Sequence, residues 1–183
     1  MNADLLEDIA QVLFTENEIA SVVAELGGRI TADYSGSQPL VISVLKGGVV
    51  FLADLIRRID VPLAVDFLAV SSYGPEATGG VVQLLKDLDE LITGRDVILV
   101  EDVIDTGLTL NYLLQLLKAR EPASLQICAL LDKSVRRIVD IPIAYKGFDL
   151  PDLFVVGYGL DFAGLYRNLP FIGILTEEKV SPS

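Results

Sequence analysis

The chain has 183 residues, 51% of them hydrophobic, which is enough for one domain with a sizeable core and too few for two ordinary domains. Acidic residues outnumber basic ones by 26 to 14, so the formal charge is −12, and binding nucleic acid or an anionic membrane would need a local basic site. There is no histidine, which excludes Ser-His-Asp and Cys-His catalysis and every zinc site that needs imidazole.

In chain order, the first 14 residues carry Asp4, Glu7 and Asp8 and no Lys or Arg, the wrong charge for a signal or transit peptide. Thr15-Glu16-Asn17-Glu18 has the spacing of a capping box and predicts a helix to about Tyr34. Pro39–Leu45 reads as a buried strand, Lys46-Gly47-Gly48 as a turn, and Val49–Ile59 as a helix. Leu63–Ser71 is a second strand, Ser72–Gly80 a glycine-rich loop, and Val81–Leu85 a short strand or arm. Asp96–Val100 is a third core strand, Leu108–Arg120 a helix, and Leu125–Leu131 another strand, apolar but for Gln126. The single cysteine, Cys128, sits in that last run; it reads as a buried, inert thiol in a reducing compartment. The last 50 residues differ, with Pro142, Pro151, Pro170, several glycines and one short strand candidate, Phe154–Tyr158. They predict a small lobe folded over the sheet. Uncharged stretches stop at 12 residues (Tyr34–Leu45 and Thr106–Leu117), short of the roughly 20 of a membrane helix. A mean hydropathy of +0.51 without such a span points to a buried subunit interface.

Apolar strands alternating with amphipathic helices predict an α/β fold, with a mainly parallel sheet flanked by helices. In such sheets ligands sit beyond the carboxyl ends of the strands, so the turns at 46–48, 71–80, 101–109 and 132–134 are the candidate site. The third turn is the most informative: Glu101 and Asp102 end a buried strand, and Asp105-Thr106-Gly107-Leu108-Thr109 leads into a helix. Amides at a helix start, a glycine and two threonine hydroxyls make a phosphate cradle. Neighbouring carboxylates hold sugar hydroxyls or Mg²⁺. Taken singly, Asp105-Thr106-Gly107 could merely cap a helix, Lys46-Gly47-Gly48 could be an ordinary turn, Lys133 a surface lysine and Phe154 a core aromatic.

The run from Val97 to Thr109 resembles the phosphoribosyl-diphosphate (PRPP) signature of type I phosphoribosyltransferases, and Glu-Asp-Val-Ile-Asp-Thr-Gly looks like the hypoxanthine-guanine branch. Further matches follow in order: Leu45-Lys46-Gly47-Gly48, Ser72-Tyr73-Gly74, Leu131-Asp132-Lys133, Phe154–Tyr158, Leu160-Asp161 and Tyr166–Pro170. Together they span about Leu40 to Leu175. The resemblance implies one domain over 1–183, with a core at about 36–132 and a hood at about 133–183 that takes in part of the amino terminus. It implies Mg²⁺-dependent purine salvage, in which PRPP and hypoxanthine or guanine give IMP or GMP and pyrophosphate. A cytoplasmic homodimer or homotetramer, with no nucleic-acid or membrane partner, is expected.

By the same resemblance, Asp105 is the proton-transfer residue at purine N7. Asp105, Thr106, Gly107, Leu108 and Thr109 form the 5′-phosphate loop; Leu108 stands where some relatives have lysine. Glu101 and Asp102 hold the ribose hydroxyls directly or through Mg²⁺, and Asp161 serves the purine side and a second Mg²⁺. Lys46, Gly47 and Arg167 bind pyrophosphate, and the family has a non-proline cis peptide in that loop. Lys133 donates to the C6 oxygen, Phe154 stacks on the base and Val155 reads its edge. Ser72 and Tyr73 belong to a mobile lid, whose tip Pro75-Glu76-Ala77 is unlike the family's. Enzymes for orotate, uracil, adenine or xanthine are the rival readings within the fold. A non-catalytic PRPP-sensing regulator is the rival outside it.

Overall fold

The computed structural model describes residues 3–73 and 81–180. Six strands form the main sheet: β2 (Leu40–Leu45), β3 (Ala64–Tyr73), β4 (Val81–Lys86), β5 (Asp96–Ile104), β6 (Ser124–Asp132) and β7 (Tyr145–Asp149). Their order is β4-β3-β2-β5-β6-β7, all parallel except β4, which runs antiparallel along one edge. A separate two-stranded antiparallel sheet pairs β1 (Ile9–Phe14) with β8 (Ile172–Leu175).

The period-2 alternation of the strands sorts their side chains into two cores. Val41, Ile98, Val100, Cys128 and Leu130 face one side, under α2 (Glu16–Asp33) and α3 (Val49–Leu55). Leu40, Ile42, Val44, Val97, Leu99, Ile127 and Ala129 face the other, under α4 (Leu108–Lys118). α2 buries Ile19, Val23, Leu26 and Ile30, a stripe at helical spacing. Each such side chain contributes about 1.5–3 kcal/mol of transfer free energy. Thr15 caps α2 as its spacing predicts: the Glu18 amide donates to the Thr15 hydroxyl at 3.3 Å, and the Thr15 amide to the Glu18 carboxylate at 2.8 Å.

Four boundaries depart from the sequence expectations. β5 does not stop at Val100 but continues through the acid pair to Ile104, because Glu101, Val103 and Ile104 pair with Ala129, Leu131 and Asp132. The helix expected over Val49–Ile59 is α-helical only to Leu55; its end tightens into a 3-10 turn, Ile56–Arg58, before the chain extends at Ile59. Residues 145–149, expected in the carboxyl-terminal lobe, instead join the main sheet as the edge strand β7. Phe154–Tyr158 forms no ladder. Val156 makes a single bridge to Gly173, and positive φ at Gly157 and Tyr158 turns the chain away. The Leu45–Lys46 peptide is cis. The chain ends, within the described residues, in α1 (Ala3–Glu7) and α5 (Glu177–Val180). No helix among these residues is long and apolar enough to cross a membrane.

Candidate active site

The carboxyl end of β5 lies in the middle of the sheet, between β2 and β6. Adjacent strand residues point to opposite faces, and the two acids there divide accordingly. Asp102 opens on a cavity of about 310 Å³, while Glu101 lines a smaller one of about 200 Å³. Val103 and Asp105 border both. The small cavity is also walled by Thr106, Gly107 and Thr109. Gly107 caps α4 in a left-handed conformation, φ +83°, and offers no side chain to the first amides of the helix. The Thr106 hydroxyl accepts only a long 3.4 Å bond from the Leu108 amide. A helix amino terminus left open in this way favours an anion, through its amides and its dipole. Leu108 does not line the cavity.

The larger cavity collects most of the remaining predicted residues: Gly47, Lys133, Phe154, Val155, Asp161 and Arg167 join Asp102 and Asp105 there. Phe154 is 52% exposed and meets Phe162 edge-on, at 5.7 Å between ring centres, so one face is free to receive a flat ligand. Arg167 pairs with Asp161 at 2.5 Å and donates to the Gly159 carbonyl at 2.5 Å. The Asp102 carboxylate presses so closely on Gly47 that a Cβ there would overlap it. Lys46 lies in the same turn but lines neither cavity. The backbone of Ser72 and Tyr73 ends β3, while the expected lid tip, 74–80, lies outside the described residues.

Two acids meet in little water at the end of β5. Burial, and then the charge of Asp102, hold the Glu101 carboxyl well above the usual carboxylate range. Burial raises Asp102 too, offset in part by the Val103 amide, which donates at 2.9 Å, and by the charge of Arg167. No group of three or more acidic, histidine or cysteine side chains among the described residues could hold a metal alone. Asp102 and Asp161 both line the larger cavity, and carboxylates so placed fit a magnesium-type ion that takes its other oxygens from substrate and water; Glu101 opens on the smaller cavity. Asp105 Oδ1 is buried and has no hydrogen-bond partner; Arg136 Nε is 3.3 Å away, within ion-pair range but not aligned to donate.

Three further residues belong to this neighbourhood and were not singled out from the sequence. Arg137 donates to the carbonyls of Ile104 and Asp105 and pairs with Asp132, which ties the Asp105 turn to the end of β6. Asp152 pairs with Lys133 at 3.0 Å, and Arg136 lies between Asp152 and Asp105. Pairing of Lys133 and Asp152 across 19 sequence positions leaves no local signal, though Arg136-Arg137 in so acidic a chain could have drawn attention. A larger cavity, about 550 Å³, lies between α2, α3 and residues 167–170. It shares Arg167 but holds none of the strand-end acids, so size does not locate the chemistry.

A sheet whose central strand ends in two acids, an anion cradle and a neighbouring base-sized cavity is the arrangement of a phosphoribosyltransferase. Residues 12–163 match the phosphoribosyl transferase domain family, and the chain belongs to it. It is 49% identical over 175 residues to the hypoxanthine-guanine phosphoribosyltransferase of Streptococcus agalactiae, covering 95% of this chain and 97% of that one. Against the enzyme of the same name from Bacillus subtilis it is 51% identical over 169 residues, 92% and 94% of the two chains. The crystal structure of a hypoxanthine phosphoribosyltransferase from Staphylococcus aureus superposes with a TM-score of 0.95, at 46% identity and 99% coverage of both chains.

Proposed function

We propose that this chain transfers the 5-phosphoribosyl group of PRPP to hypoxanthine or guanine, giving IMP or GMP and pyrophosphate, in cytoplasmic purine salvage. The observation that carries this reading is the convergence of Asp102, Asp105, Lys133, Phe154 and Arg167 on one cavity, beside an open anion cradle at α4. In this reading the amides from Thr106 to Thr109 and the two threonine hydroxyls hold the 5′-phosphate. Glu101 and Asp102 hold the ribose hydroxyls, directly or through Mg²⁺, and Asp161 assists a second ion. A bound magnesium ion neutralises pyrophosphate charge and so makes it a better leaving group.

Lys46, Gly47 and Arg167 orient the pyrophosphate, with the guanidinium giving two parallel donors. Phe154 stacks on the purine, Val155 reads its edge, and Lys133 donates to the C6 oxygen. An ammonium has three donors and no acceptor, so a C6 amino group is rejected. Asp105 moves the proton at N7 from the wall of the cavity that receives the base; such a group contributes about 10²–10⁴-fold. The buried lone thiol of Cys128 agrees with a reducing compartment. A homodimer or homotetramer agrees with the high mean hydropathy.

A spectrophotometric assay with PRPP and Mg²⁺ against hypoxanthine, guanine, xanthine, adenine, uracil and orotate tests the reading. Turnover confined to hypoxanthine and guanine is expected. Xanthine turnover moves the specificity and keeps the mechanism; PRPP binding without turnover of any base overturns the enzyme reading.

A further inference from the structure

Lys133 is a charged group in a nearly closed place: its side chain is 9% exposed. A buried ammonium is costly unless a counter-charge accompanies it. Among the described residues that counter-charge comes from Asp152, whose Oδ1 is 3.0 Å from Lys133 Nζ. The lysine pulls the Asp152 carboxyl below its ordinary range. Arg136 NH1 lies 3.8 Å from the same oxygen, and Arg136 Nε lies 3.3 Å from Asp105 Oδ1. Four charges thus alternate in sign, Lys133, Asp152, Arg136 and Asp105, and the two outer ones line the cavity.

We propose that Asp152 is a specificity-determining residue: its carboxylate fixes the Lys133 ammonium as a donor to the C6 oxygen of the base. This rests on the purine reading given above and deepens it. A free lysine side chain carries about 2 kcal/mol of rotamer entropy. Holding one ammonium N–H on Asp152 fixes the other two before the base arrives, which is preorganisation. Asp152 is two residues from Phe154, and the Leu153 amide donates to the Pro151 carbonyl at 2.7 Å. The anchor of the lysine and the stacking ring therefore move as one short turn. Without the Asp152 charge, Arg136 keeps its pairing with Asp105, while the Lys133 ammonium loses the one ion-pair partner it has among the described residues and is free to leave the direction in which it donates to C6.

The test is Asp152→Asn, nearly isosteric and without charge, with Asp152→Glu as the conservative rescue and Asp152→Ser as a second neutral variant. The Asp152 side chain is itself 62% exposed, but neutralising it strips the buried Lys133 ammonium of its counter-charge, so a lower melting temperature is expected for both neutral variants and the kinetics are read well below it. KM for hypoxanthine should rise roughly 10- to 100-fold, the range for a lost hydrogen bond to a charged group. KM for PRPP should stay within about twofold, and the inhibition constant of unsubstituted purine, which has nothing at C6 to read, within about threefold. Asp152→Glu should recover most of the loss. A hypoxanthine KM within twofold of the parent, or an equal loss for unsubstituted purine, overturns the proposal. The parent enzyme in the same assay separates the two levels: no turnover of any base overturns the purine reading itself, whereas parental turnover with an indifferent Asp152→Asn overturns only the role of Asp152.

Discussion

Replacing Gly107 by alanine tests the anion cradle through backbone geometry alone. At φ +83° the residue occupies the left-handed region, which costs a non-glycine residue roughly 1–2 kcal/mol. The new Cβ would also stand 2.9 Å from Ile141 Cδ1, 3.1 Å from Arg137 Cδ and 3.2 Å from the Val139 carbonyl oxygen. The isoleucine tip gives way cheaply, but the carbonyl belongs to backbone held by the Val139 amide on the Thr106 carbonyl, at 3.3 Å. Crowding of this kind adds about 1 kcal/mol, for a total of about 2–3 kcal/mol. In a chain of this size that lowers the melting temperature by roughly 4–12 °C. Gly94 is the control: its φ is +72°, nothing lies within 4 Å of an added Cβ, and it is remote from the cavities. Gly94→Ala should cost about 1 kcal/mol, roughly 2–4 °C, and leave the kinetics unchanged. Calorimetry of both variants, beside PRPP titrations, separates conformational strain from crowding. Gly107→Ala should weaken PRPP binding at least tenfold, because the amides that face the phosphate must shift. Equal melting temperatures for the two variants, or parental PRPP affinity in Gly107→Ala, would refute the argument.

Asp105→Asn should lower kcat by about 10²–10⁴-fold while PRPP affinity, measured by calorimetric titration, changes only a few-fold; equal losses would make Asp105 a structural residue. Thr15→Ala removes half of the capping box on α2 and should cost about 1 kcal/mol of stability, read by denaturant unfolding, with activity intact. The Asp66 carboxyl is raised by burial, but the amides of Glu90, Phe67 and Asp89, with Lys86, outweigh this and leave it below its ordinary range. Its contribution is therefore present above the unfolded pKa of about 3.9 and is lost as pH falls through the folded value. Asp66→Asn should be less stable than the parent at pH 7, and the gap in unfolding free energy should close as the pH drops below about 4.

The parallel sheet was legible because buried strands are written as unbroken apolar runs: Leu40–Leu45 and Val97–Val100 announce themselves. The carboxyl half of β5 did not. Glu101 and Asp102 carry the composition of a loop, yet the ladder to β6 keeps them extended, and it is that extension which sends the two acids to opposite faces. β7 was missed for a related reason: Tyr145-Lys146-Gly147-Phe148-Asp149 has few apolar residues, and its order comes from β6 alongside it. Phe154–Tyr158 erred in the other direction, since aromatic and β-branched residues promise a strand that Gly157 and Tyr158 then turn aside. At the site, contiguous motifs such as Asp105–Thr109 could be read directly. The Lys133–Asp152 and Arg136–Asp105 pairs each join a motif residue to one outside every motif, and nothing local in the sequence records that they meet.

The small sheet has its own consequence for how the molecule is made. Ile9 faces Leu175 and Phe14 faces Ile172, so the first strand of the chain is completed by the last. Closure across so long an interval carries a larger entropic cost than any pairing within the main sheet. During synthesis β1 emerges well before its partner and must wait, with Val12 exposed even in the finished fold, until β8 has followed. The six-stranded sheet, whose strands all lie between residues 40 and 149, assembles in the meantime. The two strands then act as a clasp, and removing either one unfastens both.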